Sequence, residues 1–219
     1  MATKEELVQL AAQLAHPSGN IGVELSIIMD RTNSNMTKQA IEALNLQAGQ
    51  RILELGHGNA GHVSWLLEKH PDVTYVGLDI SETMHREAIN NNLDAIAAKK
   101  ASFYLYDGID LPASIQQVDA IFFVNTIYFI KEPAWFIEQL ASLLRPHGKL
   151  AITLASRKFM ETLPFTAFGF RLYDEAELCR LAGNKLLQFV YRLADKEQIS
   201  NKAGDLVERE YLTLLWKKI

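Results

Sequence analysis

From Arg51 onward, short apolar runs alternate with stretches of helical period, and that alternation leaves few folds open. Runs at Ile52–Leu55, Val73–Leu78, Phe103–Tyr106, Ala120–Val124 and Leu150–Leu154 have the length of strands. Helical patterns separate several of them: about Gly61 to Lys69, Ser81 to about Ala98, and Pro133 to about Leu144, where Arg145-Pro146-His147-Gly148 stops the helix. Parallel strands need a crossover between them, so this order predicts a doubly wound α/β sheet with helices on both faces. Ala120–Val124 is the most apolar run, as befits a central strand covered on both sides.

The two ends have a different texture. Thr3 and Glu6 have the spacing of a capping box, and Leu7, Leu10, Ala11 and Leu14 then mark one helical face. His16-Pro17-Ser18-Gly19-Asn20 breaks that helix, and two more are expected over Ile21–Asp30 and Asn35–Leu44, closed by Ala48-Gly49. Residues 1–48 thus read as a helical extension before a domain of residues 49–219. Near the other end, Asp174 with Glu177 caps a helix reaching about Ala182, and Gly183-Asn184 closes it. Leu186–Leu193 and Val207–Trp216 follow as strands, joined by the polar stretch Ala194–Asp205 with Gly204, which leaves no room for a crossover helix. The sheet should therefore finish in an antiparallel pair.

Charge narrows the partners. Lys and Arg number 22 against 26 Asp and Glu, so there is no basic footprint for nucleic acid. The single cysteine, Cys179, excludes a disulfide within the chain. His62, His70, His85 and His147 lack metal-ligand spacing, and no metal site is expected. No run approaches the ~18 consecutive apolar residues of a membrane span, and the polar start is unlike a signal peptide. A soluble, cytoplasmic protein is expected.

The most informative stretch is Glu54-Leu55-Gly56-His57-Gly58-Asn59-Ala60-Gly61, a glycine-rich turn between a strand and a helix. Such a turn lets a ligand approach the main chain, and nicotinamide dinucleotides use it as readily as other nucleosides. Three acids separate the readings. Glu54 ends the strand before the first glycine, where a carboxylate would repel a pyrophosphate but welcome a cation. Asp79, in Gly77-Leu78-Asp79-Ile80-Ser81, stands where a carboxylate accepts both ribose hydroxyls. Asp107-Gly108 ends the third strand, placed to meet an adenine amino group. Ligands of open parallel sheets sit at the carboxyl ends of strands, so the three acids should edge one cleft.

With these residues in view, the chain resembles the class I S-adenosylmethionine-dependent methyltransferases. It is closest to their small-molecule branch, which includes the ubiquinone and menaquinone biosynthesis enzymes. The resemblance rests on Ile52–Gly61 (ILELGHGNAG), Gly77–Ser81 (GLDIS), Ser81–Met84 (SETM), Tyr106–Pro112 (YDGIDLP), Asp119–Phe129 (DAIFFVNTIYF) and Leu143–Ile152 (LLRPHGKLAI). It implies a Rossmann-like seven-stranded sheet in the order 3-2-1-4-5-7-6, strand 7 alone antiparallel, with the amino-terminal helices as a lid. It also implies S-adenosylmethionine as methyl donor, with S-adenosylhomocysteine as product. Gly56, Gly58 and the Glu54 region would hold the methionine moiety, Asp79 the ribose, Ile80 and Met84 the adenine faces, and Asp107 with Gly108 the adenine edge. Asn125 would face donor and acceptor. Two departures stand out. His57 replaces a small residue or proline, and Asn125-Thr126-Ile127-Tyr128 replaces the Asn/Asp-Pro-Pro-Tyr/Phe motif of enzymes that methylate adenine or glutamine nitrogens.

The expected function is methyl transfer to a small-molecule acceptor. The alternatives are a nicotinamide-dependent oxidoreductase and a non-catalytic S-adenosylmethionine-binding protein. Displacement at a sulfonium needs alignment more than a fixed triad, and a base only if the acceptor must lose a proton. His57 reads as a base or acceptor contact, or else as a loop residue facing solvent or the lid. Tyr128 could orient an acceptor or simply pack. Tyr173 and Arg171, in the aromatic stretch Phe165–Tyr173, could wall the acceptor pocket or plug a surface loop. The polar segment Met29–Met36, with Asp30, Arg31, Asn33 and Asn35, could be a lid contact or a capped helix junction.

Overall fold

Alternation carries through to the architecture. A computed structural model describes residues 2–115, 117–183, 185–200 and 206–219. In chain order the elements are α1 (Lys4–Ala15), α2 (Gly19–Leu44), β1 (Arg51–Leu55), α3 (Val63–Lys69), β2 (Thr74–Asp79), α4 (Glu82–Asn91), α5 (Leu93–Ala97) and β3 (Ala101–Leu105). Then come β4 (Val118–Val124), a 3-10 turn at Thr126–Phe129, α6 (Pro133–Leu143), β5 (Leu144–Ala155) and α7 (Arg157–Met160). A second 3-10 turn at Pro164–Ala167, α8 (Glu175–Ala182), β6 (Leu187–Ser200) and β7 (Leu206–Lys218) complete the chain. The sheet has seven strands in the order β3-β2-β1-β4-β5-β7-β6. β7 runs antiparallel to both β5 and β6, and the other pairings are parallel.

Both expected capping boxes are present. Thr3 and Glu6 cap α1, and Asp174 and Glu177 cap α8, each pair exchanging backbone and side-chain hydrogen bonds. Each face of the sheet has its own apolar layer. On one, Leu53, Leu55, Ile121 and Phe123 pack beneath Phe136, Ile137 and Leu140 of α6 and Leu178 of α8. On the other, Ile52, Tyr75, Phe103 and Phe122 pack beneath Ala40, Ile41 and Leu44 of α2, Val63 and Leu66 of α3, and Ala88 of α4. Side chains alternate along a strand, so Glu54 shares the face of Ile52 and enters the second layer.

Four features differ from expectation. The helix expected from Ser81 to about Ala98 is divided at Asn92 into α4 and α5. The two helices expected over Ile21–Asp30 and Asn35–Leu44 are one helix of 26 residues. Nothing in Arg31-Thr32-Asn33-Ser34 breaks a helix, and Thr32 Oγ1 spends its proton on Met29 O at 3.3 Å, within the helix. The helix stop Arg145–Gly148 lies inside β5, where the pairing with β4 shifts register between Val118 and Ala120. The terminal strands also run further than expected. Residues 194–200, read as connecting loop, continue β6, because Lys196 pairs opposite Glu210 and Glu197 opposite Arg209 on β7. Asn184 and Gly204, read as turn residues, lie outside the described residues.

Candidate functional site

A cavity of about 410 Å³ opens at the carboxyl ends of β1, β2 and β4, under the amino-terminal helices. Its floor is the glycine turn. Gly56 and Gly58 both have left-handed backbones, φ +69° and +57°. A Cβ on Gly56 would stand 2.5 Å from Thr126 Oγ1, so the main chain approaches that side chain as only glycine allows.

Asp79, at the end of β2, is buried, and its two carboxylate oxygens accept from Gly58 N at 3.0 Å and Ser81 N at 2.9 Å. Those bonds fix the carboxylate between the glycine turn and the start of α4 while it lines the cavity. Ile80, Met84 and Gly108 line the cavity beside it, so these expected contacts come together. Gly108 has φ +81°, a conformation that suits a residue without Cβ.

Glu54 also lines the cavity, but its charge is not free. Its carboxylate meets His62 Nε2 at 2.7 Å and accepts the Tyr75 hydroxyl proton at 2.5 Å. Burial pulls the His62 pKa down, but the Glu54 charge and hydrogen bond, helped by Asp30, outweigh it and leave it raised. Burial and the same carboxylate push the Tyr75 phenol well up, so Tyr75 stays a donor.

Asp107 departs from its expected place. Its carboxylate is exposed and folds over its own loop, accepting from Ile109 N and Asp110 N at 2.8 Å each. Those backbone bonds hold its pKa down. The third carboxylate on the cavity is instead Asp30 of α2, whose pKa is raised by burial against the opposing pull of His62. A Cβ on Gly61 would stand 2.7 Å from Asp30 Oδ2, so the last glycine of the turn makes room for this carboxylate. No local sequence signal links Asp30 to Glu54 or Glu54 to His62; only the fold brings them together.

The catalytic candidates fare unevenly. His57 lines the cavity without reaching solvent: its ring is buried edge-on against Phe103, centroids 5.2 Å apart, and burial lowers its pKa. Its Nδ1–H donates to Gly58 O at 2.7 Å, and Nε2 has no partner among the described residues. Tyr128 lines the cavity with its ring, but its hydroxyl donates to Ala155 O at 2.9 Å and sits 3.3 Å from Asn125 Oδ1. Burial raises that phenol's pKa, which suits packing and orientation, not proton abstraction. Tyr173 is buried away from the cavity, under the Arg171 guanidinium at 5.3 Å, so neither residue walls it. The wall comes from other members of the aromatic stretch, Phe165 and Phe170, with Phe129 and Phe159.

Asn125 follows β4 with a left-handed backbone, φ 57°. Its Oδ1 accepts from Ala155 N at 3.0 Å, tying the end of β4 to that of β5, and its Nδ2 donates to Asn33 Oδ1 at 3.3 Å. Among the described residues no group of three or more His, Cys, Asp or Glu could hold a metal, and no helix is long and apolar enough to cross a membrane.

Comparison with known proteins agrees with this geometry. The methyltransferase domain family matches residues 52–148. The 27-O-demethylrifamycin SV methyltransferase of Amycolatopsis mediterranei (strain S699) is 27% identical over 127 residues, 58% of this chain and 46% of that protein. An uncharacterized methyltransferase of Bacillus subtilis (strain 168), YdaC, is 30% identical over 135 residues, 60% of this chain and 70% of that protein. Geranyl diphosphate C-methyltransferase from Streptomyces coelicolor A3(2) shares the fold, with a TM-score of 0.68 at 10% identity, covering 95% of this chain and 87% of that one. The chain thus spans less than half of the rifamycin enzyme's length but most of the Bacillus protein. Sheet order, glycine turn and sequence relatives agree: the chain belongs to the class I S-adenosylmethionine-dependent methyltransferases.

Proposed function

We propose that the protein transfers a methyl group from S-adenosylmethionine to a small-molecule acceptor. The observation that carries this reading is the charge of the cavity. Among the described residues three carboxylates line it (Asp30, Glu54 and Asp79), no lysine does, and the one arginine, Arg209, is paired with Glu197 at 2.6 Å. His62 balances Glu54, but Asp30 and Asp79 have no cationic side chain paired with them among the described residues, so a diphosphate is repelled there and a nucleoside bearing sulfonium and ammonium charges is attracted.

Asp79 would accept the ribose hydroxyls, Ile80 and Met84 would flank the adenine, and Gly108 would lie at its edge. Gly56, Gly58 and Glu54 would hold the methionine end, with Asn125 facing donor and acceptor. When bound, S-adenosylmethionine supplies a methyl group activated by a sulfonium. The chain's own part is alignment and exclusion of water, which account for much of the rate in an in-line displacement. The Tyr128 hydroxyl donates to a carbonyl and its raised pKa keeps it a donor, whereas the buried His57 Nε2 makes no hydrogen bond among the described residues.

The rifamycin relative is named for a small-molecule substrate, and the structural neighbour is a geranyl diphosphate C-methyltransferase. Both support a small-molecule acceptor. Calorimetry tests the donor: saturable binding of S-adenosylmethionine and S-adenosylhomocysteine is expected, with none of NAD. The reverse preference overturns the reading. Transfer of labelled methyl to a member of a metabolite panel then distinguishes an enzyme from a binding protein.

A further inference from the structure

The donor accounts for the carboxylates of the cavity, but one polar group a turn beyond Asp30 on α2 is left without a task. Asn33 sits on α2, and its Oδ1 accepts from two donors: Arg209 Nη1 at 3.1 Å and Asn125 Nδ2 at 3.3 Å. Arg209 is itself fixed. Its guanidinium donates to Glu197 through Nε and Nη2, at 3.2 and 2.6 Å, and to Thr32 O through Nη2. A guanidinium and an amide both pointing at one oxygen decide the orientation of the Asn33 amide, because the reverse orientation would set donors against donors. Its NH2 group therefore faces away from both. Asn33 lines the cavity, and its Nδ2 donates to no described atom.

The surface it meets is apolar. Phe129, Phe159, Met160, Leu163, Phe165 and Phe170 line the same cavity. Arg209, the one cation on this side among the described residues, is neutralised by Glu197, so an anionic acceptor gains little from it. A pocket of this kind, apolar walls with one oriented polar group, selects by shape and by that single hydrogen bond.

We propose that Asn33 is a specificity residue for the methyl acceptor, and that the acceptor is an apolar, ring-sized molecule carrying an uncharged oxygen that accepts a hydrogen bond from Asn33 Nδ2. The inference rests on the methyltransferase reading for the presence of donor and acceptor compartments. Its chemistry comes from the Arg209–Asn33–Asn125 arrangement alone. Asn33 positions the acceptor and takes no part in bond making.

Calorimetry on the full chain preloaded with S-adenosylhomocysteine tests this, with 2-acetylnaphthalene and 2-isopropenylnaphthalene as probes. The two match in size, and only the ketone accepts a hydrogen bond. The ketone is expected to bind about tenfold tighter, as one good hydrogen bond provides. Asn33→Asp keeps an oxygen toward Arg209 and Asn125 but turns an acceptor to the cavity. It should erase the preference while leaving the affinity for S-adenosylhomocysteine within about threefold. Equal binding of the two probes to the native protein overturns the role of Asn33, as does a preference that survives Asn33→Asp. Binding of neither probe overturns the apolar compartment. A native chain that does not bind S-adenosylhomocysteine is a separate result: it overturns the methyltransferase reading, and this inference with it.

Discussion

Asp79→Ala is the sharpest test of the donor site, because two separate effects of the change can be worked out in advance. The carboxylate accepts two backbone N–H groups, Gly58 at 3.0 Å and Ser81 at 2.9 Å, and faces the cavity. A hydrogen bond to a charged group is worth about 1.5–3 kcal/mol. At about 1.4 kcal/mol for each factor of ten, loss of the ribose contact should weaken S-adenosylhomocysteine binding by about 10–100-fold. Two backbone donors also lose their acceptor. Each would cost about 1–3 kcal/mol if sealed, but these border a cavity that water enters, so a total of about 1–2 kcal/mol is expected. For a chain of this size that lowers Tm by about 2–8 °C. Calorimetry at 15 °C, far below unfolding, isolates the binding effect, and a thermal melt without ligand isolates the other. A Kd within twofold of the native value would refute the placement of the ribose on Asp79, whatever happens to Tm.

The other predictions probe the same floor. Gly56→Ala combines a left-handed backbone, which costs an L-residue about 1–2 kcal/mol, with a Cβ 2.5 Å from Thr126 Oγ1, and overpacking adds about 1–3 kcal/mol. Chemical denaturation should show a clear fall in midpoint, and an unchanged midpoint would mean that the turn relaxes freely. Asp107→Ala should leave donor affinity within twofold, because that carboxylate serves its own loop; a tenfold loss would return it to the site. His62 should titrate above its ordinary value of 6.5 in NMR spectra and drop in Glu54→Gln. Since its folded pKa is the higher one, the stabilisation from the Glu54 pair is fully present below about pH 6.5. It should fade as pH rises through the folded value, and a native-minus-His62→Gln stability difference that grows with pH would contradict this.

Much of the fold was legible because two periods, near two for strands and near 3.6 for helices, alternate cleanly from Ile52 to Leu154. The glycine turn, Asp79, Ile80, Met84 and Gly108 were legible too, since strand ends and turns fix where those backbones must be. Side-chain direction was not. His57 sits in the turn as expected, but its ring goes under the loop to Phe103 because the missing Cβ of Gly77 leaves room there: a Cβ on Gly77 would stand 2.7 Å from His57 Cδ2. Asp107 found two nearer donors in its own loop. Asp30 replaced it from 24 positions before Glu54, a proximity that no local pattern encodes. The polar residues 194–200 read as loop because their partners on β7, including Glu208, Arg209 and Glu210, become visible only once the hairpin is formed.

One rod of helix joins the ceiling of the binding chamber to the base of the molecule. At 1.5 Å per residue α2 is about 39 Å long, with Ser26, Asp30 and Asn33 over the chamber and Ile41 and Leu44 locked against the sheet. Such a beam does not swing like a flap without prising those anchors loose. Where the helix begins the hold is lighter: Pro17 O accepts from the Ser81 hydroxyl, and Gly19 N donates to the Thr83 hydroxyl. Two hydrogen bonds hold far less firmly than a buried helix face, so a lightly tied bend and a rigid girder adjoin in one chain.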